Sequence, residues 1–194
     1  MATIEGIVNQ ALDIVGYPSH IGNIYEGSKP SIIALNLWGT TRDALFTAAQ
    51  PVWAKRDLRL VLLKSAPNIN NGWADYSSGL WDSSYPTLPW LYEYEYPVDC
   101  LLPLQIKVQT NFIPVYRPRP RSYRVSFDSQ KVILTNTPDA ILSYIAAVLD
   151  PDDWYDDFAE AMVEAVAKKM QMELGKSPPP RAQQQEDDRG NAAG

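Results

Sequence analysis

The stretch 150–175, DPDDWYDDFAEAMVEAVAKKMQMELG, constrains the fold more than any other part of the chain. It reads as one long helix. Asp150 is the expected N-cap, and Pro151 fits the first helical position, where a missing N–H costs nothing. Asp152, Asp153, Asp156 and Asp157 set negative charge at the positive end of the helix dipole, and Lys168, Lys169 and Lys176 fall near the negative end. Gly175 supplies a left-handed stop. Some two dozen helical residues would span roughly 35 Å at 1.5 Å per residue. Stepped at 100°, Trp154, Phe158, Met162, Ala165 and Met172 share a side that Ala159, Val163, Val166, Met170 and Leu174 widen, leaving Asp157, Glu160, Glu164, Lys168 and Gln171 as the polar stripe. An apolar arc of about half the circumference exceeds what one core requires of a surface helix. Its two explanations are a long core helix in a monomer and a helix that also packs on a neighbouring subunit.

The rest of the composition is that of one globular domain with an insertion or tails: 194 residues, 45% hydrophobic and 21% charged. No run approaches the ~18 apolar residues of a membrane span, and the first sixteen residues lack the basic and apolar regions of an export signal. Cys100 is the single cysteine, which excludes an intrachain disulfide and a multi-cysteine metal site. A net charge of −6 argues against a general nucleic-acid binder.

Along the chain, Thr3 caps a first helix whose apolar face is Ile4, Ile7, Val8, Ala11, Leu12 and Val15, ended by Gly16, Tyr17 and Pro18. Ser28 and Pro30 announce a second helix that runs to about Ala49 before Pro51. Gly39 weakens it by roughly 1 kcal/mol relative to alanine and permits close helix contact. From Arg59 the texture turns to β, with a strand at 60–64. The segment 65–94 is rich in Asn, Ser, Gly, Trp and Tyr without helical period, a loop length that usually means a function, a hidden hairpin or an interface. Extended structure resumes at 92–96, a turn at Pro97 and Asp99 leads to a strand at 101–108, and 121–127 with 131–135 form a hairpin around Asp128 and Ser129. The segment 140–149 suits a buried strand or a short helix equally. The end, SPPPRAQQQEDDRGNAAG, cannot build a core, and is either a disordered end or an arm that orders on a partner.

No catalytic pattern stands out. His20 is the sole histidine, has no second ligand to complete a metal set, and reads as a surface residue. There is no nucleophile elbow, phosphate loop or dinucleotide fingerprint. The acidic cluster at 150–157 is accounted for by the helix start, although two carboxylates distant in sequence can still meet in space as a glycosidase pair. Arg117, Arg119 and Arg121 lie in a proline-stiffened run, RPRPRSYR, that suits a channel phosphate, an acidic protein surface or a solvated loop. Trp73, Trp81 and Trp90 can anchor a protein contact, cover a small sheet or form a carbohydrate platform.

Three segments together resemble a known family. NQALDIVGYP followed by EGSKP and PVWAKR, then YEYPVDCLLPLQI, then KVILTNTPDAILSYIAAVLDPDDWYDDFAEAMVEAVAKKMQMEL, are similar in order and spacing to the tail tubular protein A family of short-tailed bacteriophages. None is a catalytic signature. The resemblance implies a strand at 140–149 and an α+β fold: a helical bundle of two N-terminal helices (1–58) and a long C-terminal helix (150–175), an inserted antiparallel β-region (59–149) and an extended tail (176–194). It implies a non-enzymatic head-to-tail adaptor without cofactor or metal, a homo-oligomeric ring typically of twelve copies between the portal protein and the tail nozzle, with genomic DNA passing through the lumen. On that expectation Trp154, Phe158, Met162, Val163, Val166 and Met170 form the subunit interface. Pro178, Pro179, Pro180, Arg181 and Arg189 form a portal-docking arm, and Trp73, Trp81 and Trp90 meet the nozzle or tail fibres. The alternative is a virion-associated protein that binds or hydrolyses glycans.

Overall fold

The computed structural model describes residues 2–67, 83–108 and 121–174. The fold is α+β, with three helices and two antiparallel sheets. The chain divides into two compact units: Met1–Leu45 with Val148 onward, and Phe46–Ala147 between them. The β-region limits read from the sequence were 59–149.

In the helical unit, α1 spans Ile4–Val15. The Thr3 side chain accepts the Gly6 N–H at 3.0 Å, and Gly16 closes the helix at φ 70°. Ile7, Val8, Ala11, Leu12 and Val15 are buried at the expected spacing. The following loop is tied to α1 by side chains. Asn9 accepts the Ile21 N–H and donates to the Ile21 carbonyl, at 2.8 and 3.0 Å, and Glu5 accepts the Ile24 N–H at 3.3 Å. Helix α2, Lys29–Ala49, starts where Ser28 accepts the Ser31 N–H, and ends at Gln50, whose φ is 46°, ahead of Pro51.

The final helix departs from the sequence expectation. Asp150 caps only a 3-10 turn, Pro151–Asp153, accepting the Asp152 N–H at 3.1 Å. The backbone is then extended at Trp154, and α3 begins at Asp156 and runs to Leu174. Its 19 residues span about 28 Å. The break turns Trp154 inward: its ring stacks on Trp38 at 5.9 Å between centroids, meets Phe158 edge-on at 5.2 Å, and its Nε1–H donates to the Val148 carbonyl at 2.9 Å. Two cap signals in succession, around Asp150 and Asp156, look in sequence like one helix start. Groups of α1 and α3 residues that meet show that the two helices run parallel: Thr3 and Gly6 face Asp156 and Ala159, and Ile14 and Val15 face Glu164, Ala167 and Lys168.

The β unit opens with a 3-10 turn at Val52–Ala54 and a strand the sequence reading missed, β1, Lys55–Arg59. All five residues of KRDLR are exposed, so no apolar alternation marks it. Strand β2 is Leu62–Ser65, β3 Tyr92–Glu95, β4 Cys100–Val108, β5 Tyr123–Asp128, β6 Gln130–Thr135 and β7 Ala140–Ala146. The expected hairpin is β5–β6, turning at Ser129 with φ 48°. The segment around 140–146 is a strand, central in the sheet β1-β7-β4, where burial of all but one side chain explains a continuous apolar run without strand alternation. The second sheet is ordered β2-β3-β6-β5. The chain changes sheets within one step: the Leu60 N–H donates to Ala140 of β7, and the Val61 carbonyl accepts from Glu95 of β3. Leu60, Tyr94, Ile106, Ile133, Leu142 and Tyr144 share the core between the sheets.

Candidate assembly surfaces

The six residues expected at a subunit interface are already buried inside the single chain. Trp154, Phe158, Met162, Val163, Val166 and Met170 are all at most 7% exposed. This corrects the sequence expectation: the wide apolar arc of α3 is consumed within its own subunit, and what α3 turns outward is Asp156, Asp157, Glu160 and Glu164. Of the other expected contacts, Trp73, Trp81, Arg117, Arg119, Pro178, Pro179, Pro180, Arg181 and Arg189 lie outside the described residues. Trp90 is half-buried, just before β3, and its N–H donates to the Thr87 carbonyl at 3.1 Å. Arg121 is exposed and forms an isolated bridge to Ile106 on β4. His20 sits at the surface with Nε2 2.7 Å from Asp13 Oδ1. No pair of these residues is brought together into a reactive group.

The uncovered apolar surface is elsewhere. On α2, Ile32 and Leu35 are exposed together with Asn36 and Thr40. At helical spacing Gly39 belongs to the same side, and a Cβ added there would meet nothing within 4 Å, so this glycine does not serve a close helix contact inside the subunit. From Pro30 to Thr41 the helix has no charged residue, and the first ones beyond, Arg42 and Asp43, pair with each other at 2.7 Å. An exposed helix turn usually carries charge; twelve residues without any is the signal that composition averages conceal.

In the β unit the comparable surface lies where β1 passes into β2. Leu58, Val61, Leu62 and Leu63 are each at least 40% exposed within six residues. β1 and β2 are edge strands of their respective sheets. An exposed apolar edge is a template for pairing unless it is covered or charged. Here the β1 side is charged and held in place. Asp57 accepts from Lys107 Nζ at 2.8 and 2.9 Å and from the Ser143 hydroxyl, and these donors hold its carboxyl below the usual carboxylate range. Arg56 Nη1 lies 2.7 Å from Asp99, which also accepts from Tyr144 at 2.9 Å, and Arg59 Nη2 lies 2.6 Å from Asp139. Burial, and then the Asp99 hydrogen bond, push the Tyr144 phenol up to about 12. On the second sheet Lys64 reaches both Asp128 and the buried Glu93, so Glu93 is not left as an unpaired internal charge.

Charge is divided unequally between the units. Counting the whole sequence, the helical unit holds fifteen acids against seven bases, net −8, and the β unit eight against ten, net +2, which together restore the chain total of −6. Among the described residues no cluster of three or more His, Cys, Asp or Glu is placed to hold a metal, and no helix is long and apolar enough to cross a membrane. Cys100 is buried, which raises its thiol above the ordinary value and disfavours the reactive thiolate. The chain matches no protein-family model, and no curated protein matches it.

Proposed function

We propose that this chain is a structural subunit of a bacteriophage head-to-tail adaptor, a ring fixed beneath the portal with a tail nozzle below. The observation that carries the reading is the pair of uncovered apolar surfaces, on α2 and at the β1–β2 edge, in a chain that is otherwise acidic. Contiguous exposed apolar surface with polar surroundings is what a protein keeps for association. The sequence segments that resemble tail tubular protein A add the particular assembly. A ring subunit needs two different surfaces, since head-to-tail contacts close only when each copy offers both. Twelve copies would carry twelve times −6, a net charge of −72, and a lumen sharing that sign repels DNA and lets it slide. The proline-rich end at 175–194 is the proposed portal-docking arm, where many weak attachments around a ring add up through multivalency.

Native mass spectrometry of the full chain, alone and mixed with the portal ring of the same phage, tests this. The expected result is portal-dependent binding at one fixed stoichiometry. A chain that stays monomeric and ignores the portal would overturn the reading.

A further inference from the structure

Building on the ring proposed above, we infer which two surfaces meet in it: the uncharged outer face of α2 in one copy seats on the apolar β1–β2 edge of the next copy. The occupant is a second copy of this chain because the chain itself carries both halves of the contact and their charges are complementary. The α2 face belongs to the unit of net −8 and the β1–β2 edge to the unit of net +2. Pairing unlike units brings opposite net charges together, whereas pairing α2 with α2 by a two-fold axis would oppose two units of −8. Basic Lys55, Arg56 and Arg59 flank Leu58 on the edge side, and the acidic side chains of α3 border the helical unit.

Shape points the same way. Gly39 leaves a shallow place on α2 between Leu35 and Asp43, with open space where a side chain would stand. Leu62 and Leu63 stand on an edge strand, where no third strand covers them. Seating a leucine against a glycine on a helix buries apolar area on both sides without displacing any side chain. The contact uses different surfaces on each copy, so every bound copy still offers one free α2 face and one free edge. Such a contact propagates until rotation closes it. Salt up to about 0.15 M, where the Debye length is near 8 Å, weakens the steering between the units but leaves the apolar contact.

Cysteine cross-linking with a short bis-maleimide tests the pairing on the full-length protein, in solution and bound to the portal ring. Leu35→Cys, Leu62→Cys and the double variant are compared with the unsubstituted chain, whose buried Cys100 sets the background. The expected result is a ladder of multimers from the double variant only, and a discrete dimer when the two single variants are mixed. That mixture keeps the test intact if the double variant misfolds. Cross-linked dimers from either single variant alone would mean a two-fold contact and overturn the assignment. Fixed-stoichiometry rings by native mass spectrometry without these cross-links would reject this pair of surfaces and leave the ring standing. Absence of any oligomer, with or without the portal, would remove both.

Discussion

In the helical unit the best-ordered contacts are between carbon-rich side chains, Trp38 on Trp154, Trp154 on Phe158, and the face of α1 along α3. In the β unit five tyrosines, Tyr92, Tyr94, Tyr96, Tyr123 and Tyr144, lie in or against the core, and burial raises the phenol of each. Three of their hydroxyls donate inside the chain: Tyr94 to Thr137, Tyr123 to Pro103 and Tyr144 to Asp99. A packing-dominated unit fails when volume is lost. One built around buried phenols fails when they ionise. The difference teaches where each unit is vulnerable, and mutations and pH should separate them.

The largest effect is expected from Trp154→Ala. It removes a buried ring with two aromatic neighbours and a hydrogen bond, and should destabilise the helical unit by about 3–5 kcal/mol. Urea unfolding followed by circular dichroism reads it; a loss below about 1 kcal/mol would mean the aromatic elbow is not what holds the helices.

Alkaline titration should then select the β unit. The folded Tyr144 phenol, at about 12, lies above the ordinary value near 10, so the unfolded chain gives up its proton first. Stability is therefore complete below pH ~10 and falls as pH rises towards 12. Tyrosinate absorbance should rise together with loss of β signal, and Tyr144→Phe should make that loss less steep with pH. A steepness unchanged by this substitution would remove Tyr144 as the cause.

Asp57 works from the acid side. Its carboxyl is held below the unfolded value, so the stabilisation is present above pH ~4 and is lost as pH falls through the folded value. Asp57→Asn should cost about 0.5–1 kcal/mol at neutral pH, discounted for partial exposure. It should cost less in acid; equal losses at both pH values would mean the charge is idle.

The smallest change expected is a gain. Gly39→Ala fills open space on a helix and should stabilise the subunit by up to about 1 kcal/mol. If α2 docks a neighbour there, the same substitution should weaken assembly while raising the melting temperature. Both quantities moving upward together would argue that the face stays free.

Legibility in the sequence followed how local the causes were. Thr3 and Gly16 bound α1 by hydrogen bonds within a turn or two, and the β5–β6 turn is likewise local, so both were readable. Strand β1 was not, because KRDLR is charged and exposed throughout and owes its extension to β7, some eighty-five residues away by register pairs such as Lys55 with Ile145. The start of α3 was misplaced because Trp154 answers to Trp38, a tertiary contact that overrides capping signals at Asp150. The width of the α3 apolar arc was read correctly from the pattern, but what covers it was not. Periodicity reports how much of a helix wants burial without naming the partner, and the exposed face that matters here, on α2, shows itself by missing charge rather than by period.

The parallel pairing of α1 with α3 also sets an order in time. During synthesis α1 emerges first, yet the helix it packs along begins only at Asp156, with residues 16–155 still to be made. At about 5–20 residues per second, those 140 residues take roughly 7–28 s. Through that interval Ile7, Val8, Ala11, Leu12 and Val15 wait without α3, while the β unit, complete in sequence by Ala147, is free to fold first. The nascent chain thus carries a sticky N-terminus for most of its manufacture, and subunits can become competent to join one another only after their last helix has left the ribosome.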